Sequence, residues 1–311
     1  MLSVLFIIIG AVLVLWGADR LTDGATSLAQ KMNVPQIVIG LTVVAMGTSM
    51  PEFFVSLMSA VKGTSDMAVG NVIGSNVFNT LAIVGITALV APMLISPSTV
   101  RKDMPFAVVA SLALLLMCRD GEISRWDAGI LFVGFIIFII YTLRLASRGE
   151  VQAAEEIKLE DMSAWKAVGL VVLGLVCLVA GSHLFVTGAS EVARMLGVPD
   201  AVIGLTIVAL GTSLPELATS IVASRKGRSA IAIGNVIGSN VFNILMIVGI
   251  TGLVLPMDIQ GITSIDLYVL TGSIFLLWLF SYTKFKVERW EGAVLTVAYV
   301  AYISWLVYKV V

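Results

Sequence analysis

Charge is what this sequence has least of. Only 13% of its 311 residues are Asp, Glu, Lys or Arg, about half the share of an ordinary soluble domain. The net charge is −1, which leaves no basic footprint for a nucleic acid. Cysteine is scarce too: Cys118 and Cys177 both lie in apolar runs and read as small buried hydrophobes, not as a disulfide or a metal pair. With one histidine and no cysteine cluster, zinc, copper and iron are disfavoured as the main substrate. There is no H-E-x-x-H pair, and Ser49 and Ser213 have no histidine placed by sequence to activate them, so the chain does not read as an enzyme. The first segment, Leu2 to Trp16, lacks a basic leader and a clear small-residue cleavage site. It reads as a first transmembrane helix and not as a removable signal peptide.

What the sequence has instead is apolar length. It is 59% hydrophobic with a mean hydropathy of +1.03, and apolar runs of about 20 residues recur along it, as a polytopic membrane protein requires. The reading is all-α, with ten spans near 2–29, 36–61, 67–91, 103–118, 126–146, 164–192, 200–224, 229–254, 264–282 and 288–308. The only substantial polar stretch, 147–163, is acidic and reads as a solvated cytoplasmic connector, too short for a regulatory domain.

One block occurs twice. Gly47-Thr48-Ser49-Met50-Pro51-Glu52 returns as Gly211-Thr212-Ser213-Leu214-Pro215-Glu216, and the run Gly70 through Asn79 returns in identical order as Gly234 through Asn243. Glu52 to Glu216 and Asn79 to Asn243 both span 164 positions. Over 38–92 and 202–256 roughly two positions in three are identical without a gap, the signature of an internal repeat. Trp126 and Trp290 obey the same offset, so residues 1–146 and 164–311 form two five-helix halves. With the N-terminus outside, fourteen of the 19 Lys and Arg fall on the inner side, leaving Lys62, Arg119, Arg125, Arg194 and Lys309 outside. Five spans per half is an odd number, so the repeat is inverted and both termini are expected outside.

The Pro-Glu motifs should break the second and seventh spans, because proline removes a backbone donor and clashes with the preceding turn. Broken backbone at membrane depth is where transporters build ion sites. A glutamate there costs a few kcal/mol and is functional by default; no basic residue lies within either core motif to pair with Glu52 or Glu216. Hard cations such as Ca²⁺ take about 6–8 oxygen ligands. The motifs offer Thr48 and Thr212 four residues before the glutamates, the hydroxyls of Ser49 and Ser213, and carbonyls of Ala45, Thr48, Ala209 and Thr212 expected to be freed by unwinding. Asn71, Ser75 and Asn79, repeated as Asn235, Ser239 and Asn243, form a neutral polar stripe at helical spacing. For Gly70, Gly74, Gly234 and Gly238, and for Asn76 and Asn240, helix packing stands beside a role in the site. Asp19 and Asp23 read as interfacial residues, His183 as a packed or interfacial histidine, and Glu191 with Arg194 as an ordinary helix pair.

At these residues the chain resembles the calcium:cation antiporter superfamily, and most of all its prokaryotic sodium/calcium exchangers. The resemblance covers essentially the whole chain. It implies ten helices in two inverted repeats, Ca²⁺ held by Glu52 and Glu216 with the carbonyls of Thr48 and Thr212, and sodium sites at Ala45, Ser49, Ser75, Ala209, Ser213 and Ser239. Asn79 and Asn243 would complete the centre. It also implies that long first and sixth helices slide against an eight-helix core in a prokaryotic inner membrane. Ca²⁺ and Na⁺ are then cargo moved across the lipid bilayer, no cofactor is expected, and no obligate protein partner is evident. Some relatives, including the potassium-dependent branch, carry aspartate where this chain has Asn243, which argues against potassium co-transport. A Ca²⁺/H⁺ antiporter using the same glutamates is the alternative, since buried carboxylates can titrate. A cation channel would also place acids on its axis, but kinked helices in inverted halves suit a carrier better.

Overall fold

The computed structural model describes residues 2–147, 162–198, 203, 207 and 209–310, the side chains of 209, 309 and 310 excepted. The connector at 147–163 therefore falls largely outside the described residues. Helices dominate. The first half runs α1 (Leu2–Lys31), α2 (Gln36–Ile39), α3 (Ala45–Thr48), α4 (Met50–Val61), α5 (Ser65–Val77), α6 (Val84–Val90), α7 (Met104–Met117) and α8 (Arg125–Ser147). The second runs α9 (Ala164–Met195), α10 (Ala209–Thr212), α11 (Leu214–Arg225), α12 (Ser229–Val241), α13 (Val248–Val254), α14 (Ser264–Tyr282) and α15 (Arg289–Val310). Among the described residues seven helices are long and apolar enough to cross a membrane, or eight if the bent pair Gln36–Thr48 and Met50–Val61 is one span. Of the remaining expected spans, 103–118 contains the shorter α7, and 200–224 includes residues outside the description.

Proline 51 sits in the first turn of α4 and proline 215 in that of α11, where a missing N–H leaves no helical bond unmade. Each proline thus starts a new helix instead of kinking an old one. The break is a single residue: Ser49 has φ −84° and ψ 5°, Ser213 φ −91° and ψ 7°. Across the first break the axis turns by 46°. This corrects one expectation. The Ala45 carbonyl is not freed, since it accepts the Ser49 N–H at 3.0 Å and the Thr48 hydroxyl at 3.3 Å. The carbonyl that loses its partner by chemistry is that of Gly47, four residues before the N–H-less proline.

Two short antiparallel clasps join the halves. Strand β1 (Met93–Leu94) pairs with β4 (Lys286–Val287), and β2 (Glu122–Ile123) with β3 (Met257–Asp258). The registers Met93↔Val287 and Ile123↔Met257 exchange under the 164-residue offset. Each half therefore reaches into the other.

Helices α1 and α9 pack together antiparallel along a seam of glycines spaced by seven: Gly10, Gly17 and Gly24 against Gly174, Gly181 and Gly188. A Cβ at Gly10 would lie 2.6 Å from the Phe185 nitrogen and 2.7 Å from the Gly181 oxygen. Only glycine allows backbones so close. The 30 and 32 residues of these helices extend about 45–48 Å at 1.5 Å per residue. That exceeds a hydrocarbon core of about 30 Å, so both must tilt.

Candidate functional site

The motif glutamates lie at the centre and are fully buried. Each is met by a serine of the other half. Ser49 Oγ donates to Glu216 Oε1 at 3.0 Å, and Ser213 Oγ donates to Glu52 Oε1 at 2.8 Å. The second oxygen of each carboxylate, Glu52 Oε2 and Glu216 Oε2, is buried without a hydrogen-bond partner. The serines can serve this way because each occupies the one-residue break, where the backbone turns between two helices.

Behind the carboxylates two asparagines brace the broken spans. Asn71 Nδ2 donates to the Glu52 carbonyl at 3.2 Å and to Ser56 Oγ at 3.0 Å. Asn235 Nδ2 repeats this with the Glu216 carbonyl at 3.3 Å and Ser220 Oγ at 3.1 Å. Asn235 Oδ1 also accepts the Thr48 hydroxyl at 3.0 Å, joining the first half's motif to the second half's helix. Ser56 and Ser220 were not picked out from the sequence. Their signal was present: each lies four residues after its glutamate, on the same helical face, at the 164-residue offset.

Asn79 and Asn243 lie in π-helical stretches, Phe78–Ile83 and Phe242–Ile247, that continue α5 and α12. Wider turns of this kind recur at functional sites because they shift a side chain off the regular helical face. Both asparagines are fully buried, and neither side-chain oxygen nor nitrogen of either has a partner. The stretch bearing Asn243 packs against α4, the helix of Glu52, and the stretch bearing Asn79 packs against α11, the helix of Glu216. Ser239 Oγ is likewise buried and unpartnered, and Ser75 is buried. Of the remaining expected residues, Thr48 is fully buried, and its single hydroxyl proton has the Val44 carbonyl at 3.1 Å as an alternative acceptor to Asn235 Oδ1. Thr212 is half-buried, Ala45 is buried in α3, and Ala209 contributes backbone to α10, its side chain lying outside the description.

The packing role of the glycines divides by half. A Cβ on Gly238 would lie 2.6 Å from the Leu41 oxygen, and one on Gly234 2.9 Å from the Ile37 oxygen. A Cβ on Gly74 would meet nothing within 4 Å among the described residues. Asn240 Nδ2 donates to Thr80 Oγ1 at 2.8 Å, and that hydroxyl donates to the Asn76 carbonyl at 2.8 Å. Asn240 therefore ties the two halves together, whereas the Asn76 side chain turns back on its own helix and donates to the Val72 carbonyl at 2.7 Å.

The centre is thus a buried set of polar groups: two carboxylates, two serine hydroxyls pointing at them, further hydroxyls and four amide groups. Among the described residues no three of His, Cys, Asp or Glu gather as a soft or transition-metal site would need. The donors suit hard cations. His183 is exposed, and Glu191 accepts a hydrogen bond from Ser3 of α1 at 2.7 Å. Asp19 and Asp23 are not simply interfacial: they are ion-paired to the turn between α11 and α12.

Comparison with known proteins adds three findings. A family model described as sodium/calcium exchanger protein matches residues 2–144 and 166–308. A putative antiporter, CaxA of Alkalimonas amylolytica, is 37% identical over 97% of this chain and 98% of its own length, and the sodium/calcium exchanger MaX1 of Methanosarcina acetivorans is 31% identical over 98% of each. Among solved structures, the sodium-calcium exchanger NCX_Mj soaked with Na⁺ and Ca²⁺ superposes with a TM-score of 0.86 at 30% identity, covering 98% of both chains.

Proposed function

The chain belongs to the sodium/calcium exchanger protein family, membrane-embedded cation antiporters and not catalytic enzymes, and on that premise we propose that it exchanges Na⁺ for Ca²⁺ by alternating access. The observation that carries this reading is the pair of buried glutamates, each held by the serine of the opposite half with one oxygen left unpartnered. Two carboxylates neutralise one Ca²⁺, or most of the charge of several Na⁺ ions. Either load hides a nearly neutral cluster, whereas the unloaded site buries two like charges and resists crossing the membrane. Obligatory exchange follows from that penalty.

In this reading Glu52, Glu216, Thr48 and Thr212 take Ca²⁺. Ser49, Ser213, Ser75, Ser239, Ala45 and Ala209 serve Na⁺, and Asn79 and Asn243 close the centre. The halves are inverted, ten spans cross a prokaryotic inner membrane with both termini outside, and the α1–α9 pair slides against the rest. Asn243 in place of a third carboxylate makes exchange independent of K⁺. More positive charge enters as Na⁺ than leaves as Ca²⁺, so the cycle is electrogenic and extrudes Ca²⁺.

The test is radioactive Ca²⁺ uptake into proteoliposomes loaded with Na⁺ and diluted into buffer free of Na⁺ and K⁺, with an imposed pH gradient as a parallel arm. Uptake that requires internal Na⁺ supports the reading. Uptake driven by the proton gradient alone moves the protein to Ca²⁺/H⁺ exchange at the same glutamates, and no uptake under either gradient refutes the assignment of cargo.

A further inference from the structure

The two halves carry the same motifs but not the same charges around them. At the turn joining α11 to α12, Lys226 Nζ lies 2.5 Å from Asp19 Oδ1 and 2.9 Å from Asp23 Oδ1, both on α1, and donates to the Asp19 carbonyl at 3.4 Å. Arg228 Nη1 lies 2.7 Å from Asp23 Oδ1 as an ion pair, without a well-aligned hydrogen bond, and its side chain is only 5% exposed. Two acids of the α1–α9 pair therefore face two cations of the motif-bearing helices.

The offset of 164 carries these four positions onto His183, Thr187, Lys62 and Thr64. All four are exposed. The positions equivalent to the two aspartates carry no carboxylate to face Lys62, and one of the two cations is replaced by a threonine. Thr187 spends its hydroxyl on the His183 carbonyl and Thr64 spends its own on the Ser59 carbonyl. Among the described residues the ionic cluster exists once, in a chain whose core is duplicated.

The packing follows the charges. Helix α1 packs closely along α11, whereas α9 and α4, the pair that the offset makes equivalent, pack at most marginally. Thr219 on α11 is fully buried, while its counterpart Val55 on α4 is 37% exposed. Likewise Gly238 is clasped by Leu41 and Ala45, while Gly74 is exposed and a Cβ there would meet nothing within 4 Å among the described residues. Among the described residues, the packing is closed beside the ionic cluster and open beside the equivalent positions that lack it.

We propose that Asp19, Asp23, Lys226 and Arg228 form a one-sided latch that biases the protein towards the state closed at the Lys226 end. In a duplicated transporter with perfect internal symmetry the two access states would be mirror images of equal energy. A latch present in one half alone makes them unequal without touching the ion site. The inference rests on the alternating-access reading, but its test does not require cargo to be known.

The test uses full-length protein carrying Cys118→Ala and Cys177→Ala, with either Val55→Cys or Thr219→Cys as a reporter for a soluble thiol reagent. In the latch-intact background Val55→Cys reacts fast and Thr219→Cys slowly. Replacing Asp19 and Asp23 by Asn should slow the first and quicken the second, each by about threefold or more, the shift expected from losing partly exposed ion pairs. Lys226→Arg, which keeps the charge, should leave both rates within a factor of about two. Opposite changes are required. If both rates rise together, the substitutions have only loosened the fold and the proposal fails; if neither moves, it also fails. Sodium-driven Ca²⁺ uptake by the parent chain is measured alongside: opposite labelling shifts without uptake would keep the latch and remove the cargo assignment, while uptake with unchanged labelling would do the reverse.

Discussion

Ser49 of the first half donates its hydroxyl hydrogen bond to Glu216 of the second, at 3.0 Å. Ser213 returns the favour to Glu52 at 2.8 Å. Each glutamate takes its serine hydrogen bond from the opposite half, so the proposed ion site lies where the halves meet.

Ser49→Ala should therefore weaken cation binding through the glutamate of the opposite half, and Ser213→Ala should do the same through Glu52. A hydrogen bond to a charged group is worth about 1.5–3 kcal/mol, so apparent Ca²⁺ affinity should fall roughly tenfold to a hundredfold. The concentration dependence of Ca²⁺ uptake into Na⁺-loaded vesicles reads this directly. Unchanged affinity in both variants would place the serines outside the site.

Glu52→Gln and Glu216→Gln keep shape and hydrogen-bonding capacity while removing one charge. Either should abolish Na⁺-driven Ca²⁺ uptake yet leave a monodisperse, folded protein by size-exclusion chromatography, since neutralising one of two neighbouring buried carboxylates relieves repulsion. Wild-type uptake by either variant would refute the two-carboxylate site.

Gly238→Ala and Gly74→Ala occupy equivalent positions with opposite surroundings. The first drives a methyl into the Leu41 backbone at 2.6 Å and should cost about 1–3 kcal/mol. The second meets open space and should be neutral or stabilising by up to about 1 kcal/mol, through reduced backbone entropy of the unfolded chain. Thermal unfolding in detergent compares them, and equal melting temperatures would contradict the packing asymmetry.

Asn235→Ala removes a brace with three partners, Glu216, Ser220 and Thr48. Leaving buried acceptors unsatisfied costs about 1–3 kcal/mol per group, so the melting temperature should drop by several degrees. Asn71→Ala, at a half-buried position with two partners, should drop it less. The reverse order would mean that the second brace is dispensable.

The membrane class and the central carboxylates were legible because Gly47–Glu52 and Gly70–Asn79 recur in a chain with almost no other charge at such depth. The serines were legible for the same reason, as members of the repeated block. Who meets whom was not: a repeat says that Ser49 and Ser213 are equivalent, but not that each serves the other's glutamate. The wide turns at Asn79 and Asn243 were hidden as well, because nothing in Phe-Asn-Thr-Leu or Phe-Asn-Ile-Leu separates a π turn from an α turn until neighbouring helices press on it. The break at Ser49 is shorter than the proline suggested, since proline is at home in the first turn of the next helix. Asp19 and Asp23 were visible as an i,i+4 acidic pair, while their partners Lys226 and Arg228 lay about 200 residues away, beyond any local pattern.

The glycine seam between α1 and α9 also sets a mechanical rule. Its period of seven is shorter than two full α-helical turns, which coils such a pair left-handed. For one helix to creep along the other, each glycine must leave its notch, and the next notch lies a whole heptad away, about 10 Å. Intermediate registers would set side chains against backbone that now touches glycine alone. The two longest helices among the described residues are therefore geared together: gliding of one past the other would drive side chains into backbone that now meets glycine alone.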